Sequence, residues 1–232
     1  MVIDPERADS PTHPFGMVPG EFAALRARID SIDRRWDHPV RIVAVTKGFD
    51  ASAVDAAASA HFDAIGENYA QEMLAKRDAL ERSGADIHFI GQLQSNKVRQ
   101  LAGLVSVWST IDRASLVDEV AKRVPGAVVR LQVNTTDEAQ KGGCPPTDVG
   151  ALIDRARDRG LHVEGLMTVG PTGVAPEAGR PGFAMLRDLV DRFGLAECSM
   201  GMTADVAVAV EEGSTEVRVG TALFGPRPAR DA

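Results

Sequence analysis

The chain has 232 residues, 44% of them hydrophobic and 25% charged, and its 33 acidic against 26 basic side chains give a net charge of −7. That length holds one large domain or two small ones and buries a core without staples, and the composition excludes a disordered chain, a collagen-like fibre and a disulfide scaffold. The acidic balance argues against a nucleic-acid binder that works by broad phosphate neutralisation, and no apolar run reaches the ~18–20 residues that span a bilayer.

Residues 1–18 are polar and lack the basic start and apolar middle of a signal peptide. They read as a flexible lead-in to a cytoplasmic protein. A helix is expected after Pro19, where Phe22, Leu25, Ile29 and Ile32 share one face. The run 41–47 is apolar and β-branched, the pattern of a buried strand. From there the period alternates. Helices are predicted over 51–60, 68–81, 95–101, 113–123, 148–159, 183–193 and 204–212. Strands are predicted over 61–66, 86–91, 104–110, 127–134, 162–168, 197–199 and 216–220. The Gly- and Pro-rich stretch 170–182 reads as a loop.

Strict alternation of strand and helix implies a parallel sheet with right-handed crossovers. About eight such units in ~200–250 residues fit a single-domain (β/α)8 TIM barrel with an extra N-terminal helix. An open dinucleotide sheet loses its main support, because no G-x-G-x-x-G follows the first strand. The barrel is expected over 19–227, followed by a tail at 228–232.

In such a barrel the site lies at the carboxyl ends of the strands. Those ends gather Thr46, Lys47, Glu67, Asn68, His88, Ser109, Asn134, Thr168, Ser199, Arg218, Gly220 and Thr221. A mouth with one Lys, one Arg, small hydroxyls and glycines suits a phosphorylated ligand. Lys47 closes an apolar strand, where desolvation lowers a lysine pKa and frees the amine for Schiff-base chemistry. The alternative is a lysine that snorkels to solvent. The clusters 198–205 and 217–221 place backbone N–H groups after strands 7 and 8, a frequent phosphate site in this fold; ordinary caps and turns would leave the same pattern. His88, inside a strand, reads as a core histidine. The five histidines form no ligand spacing, so no metal site is expected, and Cys144 and Cys198 read as reduced thiols.

Seven segments carry a family resemblance: Ala44–Lys47, Gly66–Tyr69, His88–Lys97, Leu131–Asn134, Gly165–Thr168, Ser199–Met202 and Val217–Gly225. In this order, over about residues 20 to 227, the chain resembles the YggS/PROSC-like pyridoxal phosphate homeostasis proteins, single-domain relatives of the N-terminal barrel of alanine racemase. The resemblance implies that Lys47 forms a Schiff base with pyridoxal 5′-phosphate (PLP). It implies that Ser199, Gly220 and Thr221 hold the phosphate, that Arg218 faces the pyridine nitrogen, and that Asn68 and Asn134 line the pocket. It gives no chemical role to His88 or to Ser95, Asn96 and Lys97. The family usually reads Ser-Lys-Thr-Lys-Pro at the reactive lysine; Thr46-Lys47-Gly48-Phe49 lacks the second lysine. Gln92 stands where the family commonly has His, and Pro171 to Gly182 match poorly.

Arginine stays protonated in proteins, so it can only donate to the ring nitrogen. That weakens the ring as an electron sink. Racemases of this kind use a second acid/base on the opposite face, supplied with a further domain, and the only tyrosine here is Tyr69. The resemblance therefore implies a PLP carrier and homeostasis protein without robust turnover, with no confirmed catalytic residue. PLP-dependent apoenzymes are the expected partners and a monomer the expected state. A single-domain amino-acid racemase is the alternative.

Overall fold

The computed structural model describes residues 15–136 and 138–227. Eight strands close a parallel barrel in sequence order: β1 (Arg41–Val45), β2 (Ala64–Glu67), β3 (Asp86–Phe89), β4 (Val107–Ile111), β5 (Val128–Gln132), β6 (His162–Met167), β7 (Glu197–Met202) and β8 (Glu216–Val219). Closure is made by β1 pairing β8, with Arg41 opposite Glu216 and Val43 opposite Arg218. Around the barrel lie α1 (Val18–Asp30), α2 (Ala51–Ser59), α3 (Ala70–Ala75), α4 (Arg77–Ser83), α5 (Val98–Leu101), α6 (Ala114–Arg123), α7 (Val149–Asp158), α8 (Arg180–Arg192), α9 (Val206–Glu211) and α10 (Thr221–Phe224). This is the expected barrel, with α1 as the added N-terminal helix.

The apolar core is the layer between sheet and helices. Val117 and Val120 of α6, Ile153 of α7, and Phe183, Leu186 and Val190 of α8 are buried against the outward faces of the strands, beside Trp108, Val129, Leu131 and Leu166. The helices present one apolar stripe each, which is why the 3.6-residue period was legible. Inside the barrel the residues are largely polar. β5 and β8 are not neighbours, so the ion pair of Arg130 with Glu216 crosses the lumen. Cys144 and Cys198 are free and buried. Burial pushes their thiols up to about 11 and about 12, so both stay protonated and unreactive at neutral pH.

Several boundaries differ from expectation for physical reasons. The lead-in is packed from Phe15: its ring meets Phe49 and Phe224 edge-on at 5.5 and 5.6 Å, and Val18 already starts α1, buried. Residues 1–14 and the tail 228–232 lie outside the described residues. The helix expected over 68–81 is two, α3 and α4, because at Lys76 the chain leaves helical geometry and the buried ammonium turns inward to an ion pair. The loop 170–182 holds a short 3-10 turn (Pro176–Gly179) and the start of α8, whose first turn carries Pro181 where a proline is tolerated. β7 runs three residues further than expected, to Met202, so its last residue lies at the barrel mouth.

Candidate active site at the barrel mouth

A cavity of about 370 Å³ opens at the carboxyl ends of the strands, lined in part by Lys47, Asn68, Arg218, Gly220 and Thr221. Five of the seven residues expected to bind the cofactor therefore meet at one place. Lys47 follows β1 and is half-buried. Burial lowers its pKa, and the charges of Arg227 and Arg218 lower it further, against opposing pulls from Glu72 and Glu67. An amine so placed is more often unprotonated at neutral pH than a surface lysine, which is the condition for attack on an aldehyde.

Lys47 is held from below. Thr46 donates its hydroxyl to Glu67 Oε1 at 2.5 Å, and Lys76 Nζ lies 2.5 Å from the same oxygen while donating to the Thr46 carbonyl at 2.9 Å. The Gly48 N–H donates to Glu72 at 2.8 Å. These contacts fix the backbone on both sides of Lys47. Burial raises the Glu67 pKa, against Lys76 and the Thr46 hydroxyl. Phe49, in the place of the family's second lysine, lines the cavity and packs on Phe15 and Phe224.

Arg218 enters from β8 and is buried. It donates to the Ser199 hydroxyl at 2.7 Å and to the Thr168 carbonyl at 2.6 Å. Burial lowers its pKa to about 10, against Glu216 and Asp205, so it remains a cation at neutral pH. Two of its five N–H groups are used in these bonds, leaving donors for a ligand. Ser199 passes its own proton on, donating to Glu216 at 2.8 Å. Glu216 also binds Arg130, which reaches Glu164 at 2.6 Å. His88 Nδ1 lies 3.6 Å from Glu216, and neither ring nitrogen has a partner within hydrogen-bond reach. A chain of contacts thus runs from the barrel floor through Glu216 and Ser199 to the guanidinium at the mouth.

Two expected cofactor contacts are placed elsewhere. Ser199 is fully buried beneath Arg218 and does not line the cavity. Asn134 is turned into its own loop, accepting from the Thr136 N–H at 3.1 Å and donating to the Glu138 carbonyl at 3.2 Å. The wall is completed by Met202, Thr203 and Ala204, which fall in the 198–205 cluster expected to hold a phosphate, and by Arg227, which sequence reasoning passed over. Arg130 and Glu216 were also missed, although Arg130 is a lone charge inside an apolar strand and so needs a buried partner. Thr168 is likewise structural, donating to the Val133 carbonyl at 2.8 Å.

The lining fits PLP on this structure's own terms. Asn68 Oδ1 is buried without a hydrogen-bond partner at the cavity wall. Gly220 lines it too, and a Cβ there would fill the cradle and come 3.1 Å from the Val45 carbonyl. Lys47, Arg218 and Arg227 make the lining cationic, and none of its residues is an acid. An aldehyde carrying a dianionic phosphate has a nucleophile and counter-charges here.

A family model, alanine racemase N-terminal domain, matches residues 21–228. The chain is 38% identical over 195 residues to the pyridoxal phosphate homeostasis protein of Pseudomonas aeruginosa, covering 81% of this chain and 85% of that protein. It is 42% identical over 173 residues to that of Aquifex aeolicus, covering 70% and 76%. PipY of Synechococcus elongatus, solved with PLP bound, superposes with a TM-score of 0.77 at 28% identity, covering 90% of this chain and all 100% of that one. An alanine racemase of Clostridium difficile shares the fold alone, with a TM-score of 0.70 at 14% identity over 93% of this chain and 58% of that one. By sequence, barrel and mouth, the chain belongs to the pyridoxal phosphate homeostasis protein family, built on the alanine racemase N-terminal domain.

Proposed function

We propose that this protein binds PLP at Lys47 and acts in intracellular PLP homeostasis as a carrier and buffer, without robust turnover. One observation carries the reading. Among the described residues lining the cavity Lys47 is the one amine, its pKa lowered by burial and by neighbouring arginines, and the lining holds no Asp, Glu, His, Cys or Tyr. Bound PLP supplies an aldehyde that condenses with amines and a ring that accepts electrons.

The chain's residues supply holding and orientation. Lys47 anchors the aldehyde carbon through Nζ. Arg218, aimed by Ser199 and Thr168, would donate to the ring nitrogen of bound PLP and so favour that nitrogen without a proton of its own. Gly220, Thr221 and Thr203 would offer the phosphate backbone N–H groups and hydroxyls, and the unpartnered Asn68 Oδ1 would accept from a donor elsewhere on the ligand. Ser199 acts through Arg218, and Asn134 through the shape of the neighbouring loop. A racemase needs a second base on the far face of the cofactor, and the lining provides none.

The barrel over 19–227 is proposed to work as a monomer in the cytoplasm and to pass PLP to apoenzymes. No helix among the described residues is long and apolar enough to cross a membrane. The test is an absorbance spectrum of the purified protein before and after borohydride, beside Lys47→Ala. The expected result is a band near ~420 nm that borohydride removes and the variant lacks. A chain that stays colourless with added PLP overturns the proposal. Racemisation of L-alanine that depends on Lys47 would replace the carrier with an enzyme.

A further inference from the structure

Beside the Lys47 cavity lies a second one of about 280 Å³, and Asn68 lines both. Its other walls are Tyr69, Ala70, Gln71, Phe89, Gln92, Gln94 and Lys97. It collects residues of the segment 88–97, to which the family resemblance assigns no chemistry. Neither Lys97 nor Gln92 forms an ion pair or side-chain hydrogen bond among the described residues.

The chemistry of this lining is specific. It holds one cation and no acid, so it favours a single negative charge and does not repel a carboxylate. The amide oxygens of Gln92, Gln94 and Asn68 can accept from an ammonium group. The exposed ring of Tyr69 gives an apolar wall, whereas the Phe89 side chain is buried in the core beside Trp108. A dianionic phosphate would be left half-neutralised by the one lysine. We propose that this cavity is a binding site for a free α-amino acid with an apolar side chain, its carboxylate on Lys97, its ammonium on the amides and its side chain on the Tyr69 ring. Occupancy of the cavity stands on its own lining. Its consequence, an amino acid presented across Asn68 to the cofactor, rests on the PLP reading above.

The test is ligand-observed NMR titration of the full chain with L-leucine, N-acetyl-L-leucine and inorganic phosphate. Wild type, Lys97→Met, Gln94→Leu and Lys47→Ala are compared, with circular dichroism as the check on folding. L-leucine is expected to bind wild type and Lys47→Ala alike, and ~5-fold more weakly to Lys97→Met, the size of a part-exposed charge contact. Gln94→Leu and masking of the amine in N-acetyl-L-leucine should each weaken binding too. Unchanged affinity in both Lys97→Met and Gln94→Leu overturns the site. So does binding that vanishes in Lys47→Ala and persists in Lys97→Met, which would put the ligand in the cofactor cavity. Phosphate that displaces L-leucine would make the site a general oxyanion site and reject the amino-acid assignment. Failure of the PLP reading would show separately, as absence of the ~420 nm band with L-leucine binding intact.

Discussion

The contact chain under Arg218 makes Glu216→Gln the most informative single substitution. Glu216 is fully buried, bound by Arg130, hydrogen-bonded by Ser199 and approached by Arg41 at 3.5 Å. Removing one partner of a buried ion pair costs ~3–5 kcal/mol because the other charge is left buried. Arg130 keeps Glu164 at 2.6 Å and has Glu197 at 4.0 Å, which places the expected loss at the low end, about 3 kcal/mol. In a chain of this size ~1 kcal/mol is worth ~2–4 °C, so Tm should fall by ~6–12 °C. The double substitution Arg130→Met with Glu216→Met removes both fully buried charges and leaves Glu164 and Glu197, each about a fifth exposed, to reach water; apolar replacement of a buried pair is neutral or stabilising. It should recover most of the loss.

The acid limb gives an independent readout. Burial opposes ionisation of Glu216, but Arg130, the neighbouring His88 and the Ser199 hydroxyl outweigh it and hold the carboxyl well below the usual carboxylate range. A carboxylate depressed in the folded state stabilises the fold above its unfolded pKa of ~4.3 and loses that contribution as pH falls below it. Glu216→Gln should therefore narrow its deficit against wild type between pH ~4.3 and acid unfolding. Differential scanning calorimetry across pH measures both effects. A Glu216→Gln Tm within ~2 °C of wild type, or a double variant as unstable as the two losses added, refutes the reasoning.

Two further substitutions bear on the mouth. Arg227→Gln removes a cation that lowers the Lys47 pKa, so the amine should titrate higher and PLP loading at neutral pH should slow, with the pH–rate profile displaced to higher pH; an unmoved profile contradicts the assigned cause. Gly91→Ala would place a Cβ 1.8 Å from the Asn68 carbonyl oxygen, a clash with backbone costing at least ~3 kcal/mol; Tm and PLP affinity should both drop, and wild-type values for both would refute the close approach.

How much was legible follows from what each residue answers to. The helices and strands read well because each buries one face, and burial of a face writes a period into the sequence. Lys47 was legible for the same reason, as a charge at the end of an apolar strand. The division of labour between hydroxyls was not. Ser199 and Thr203 are four residues apart in one segment, yet one lies beneath Arg218 and the other in the cavity wall. Which of them faces the ligand depends on how far β7 runs before it turns, and that is set by pairing with β8 through an irregular register between Ser199 and Met202. Arg227 was hidden because it enters the mouth from the end of the barrel, beyond β8 and α10. The Lys76 break in the 68–81 helix was hidden because its cause is Glu67 on a strand, a partner no helical pattern contains.

The same geometry inverts the chain's charge where it matters. The protein carries −7 overall, yet the cavity lining holds Lys47, Arg218 and Arg227 and no acid. Acids close by are committed: Glu67 to Lys76 and Thr46, Glu72 to the Gly48 N–H, Glu216 to Arg130 and Ser199. A phosphorylated aldehyde thus meets a cationic mouth on an acidic surface, and capture is electrostatically guided over a short range. The Debye length shrinks from ~20 Å or more in dilute buffer to a few Å near ~0.5 M salt. PLP loading, followed in stopped flow, should therefore slow several-fold across that range. Arg218 is buried, hydrogen-bonded and screened little, whereas Arg227 approaches from the rim, so Arg227→Gln should flatten the salt dependence. Equal slopes for wild type and Arg227→Gln would mean that Arg227 plays no part in drawing in the phosphate and serves only to lower the Lys47 pKa.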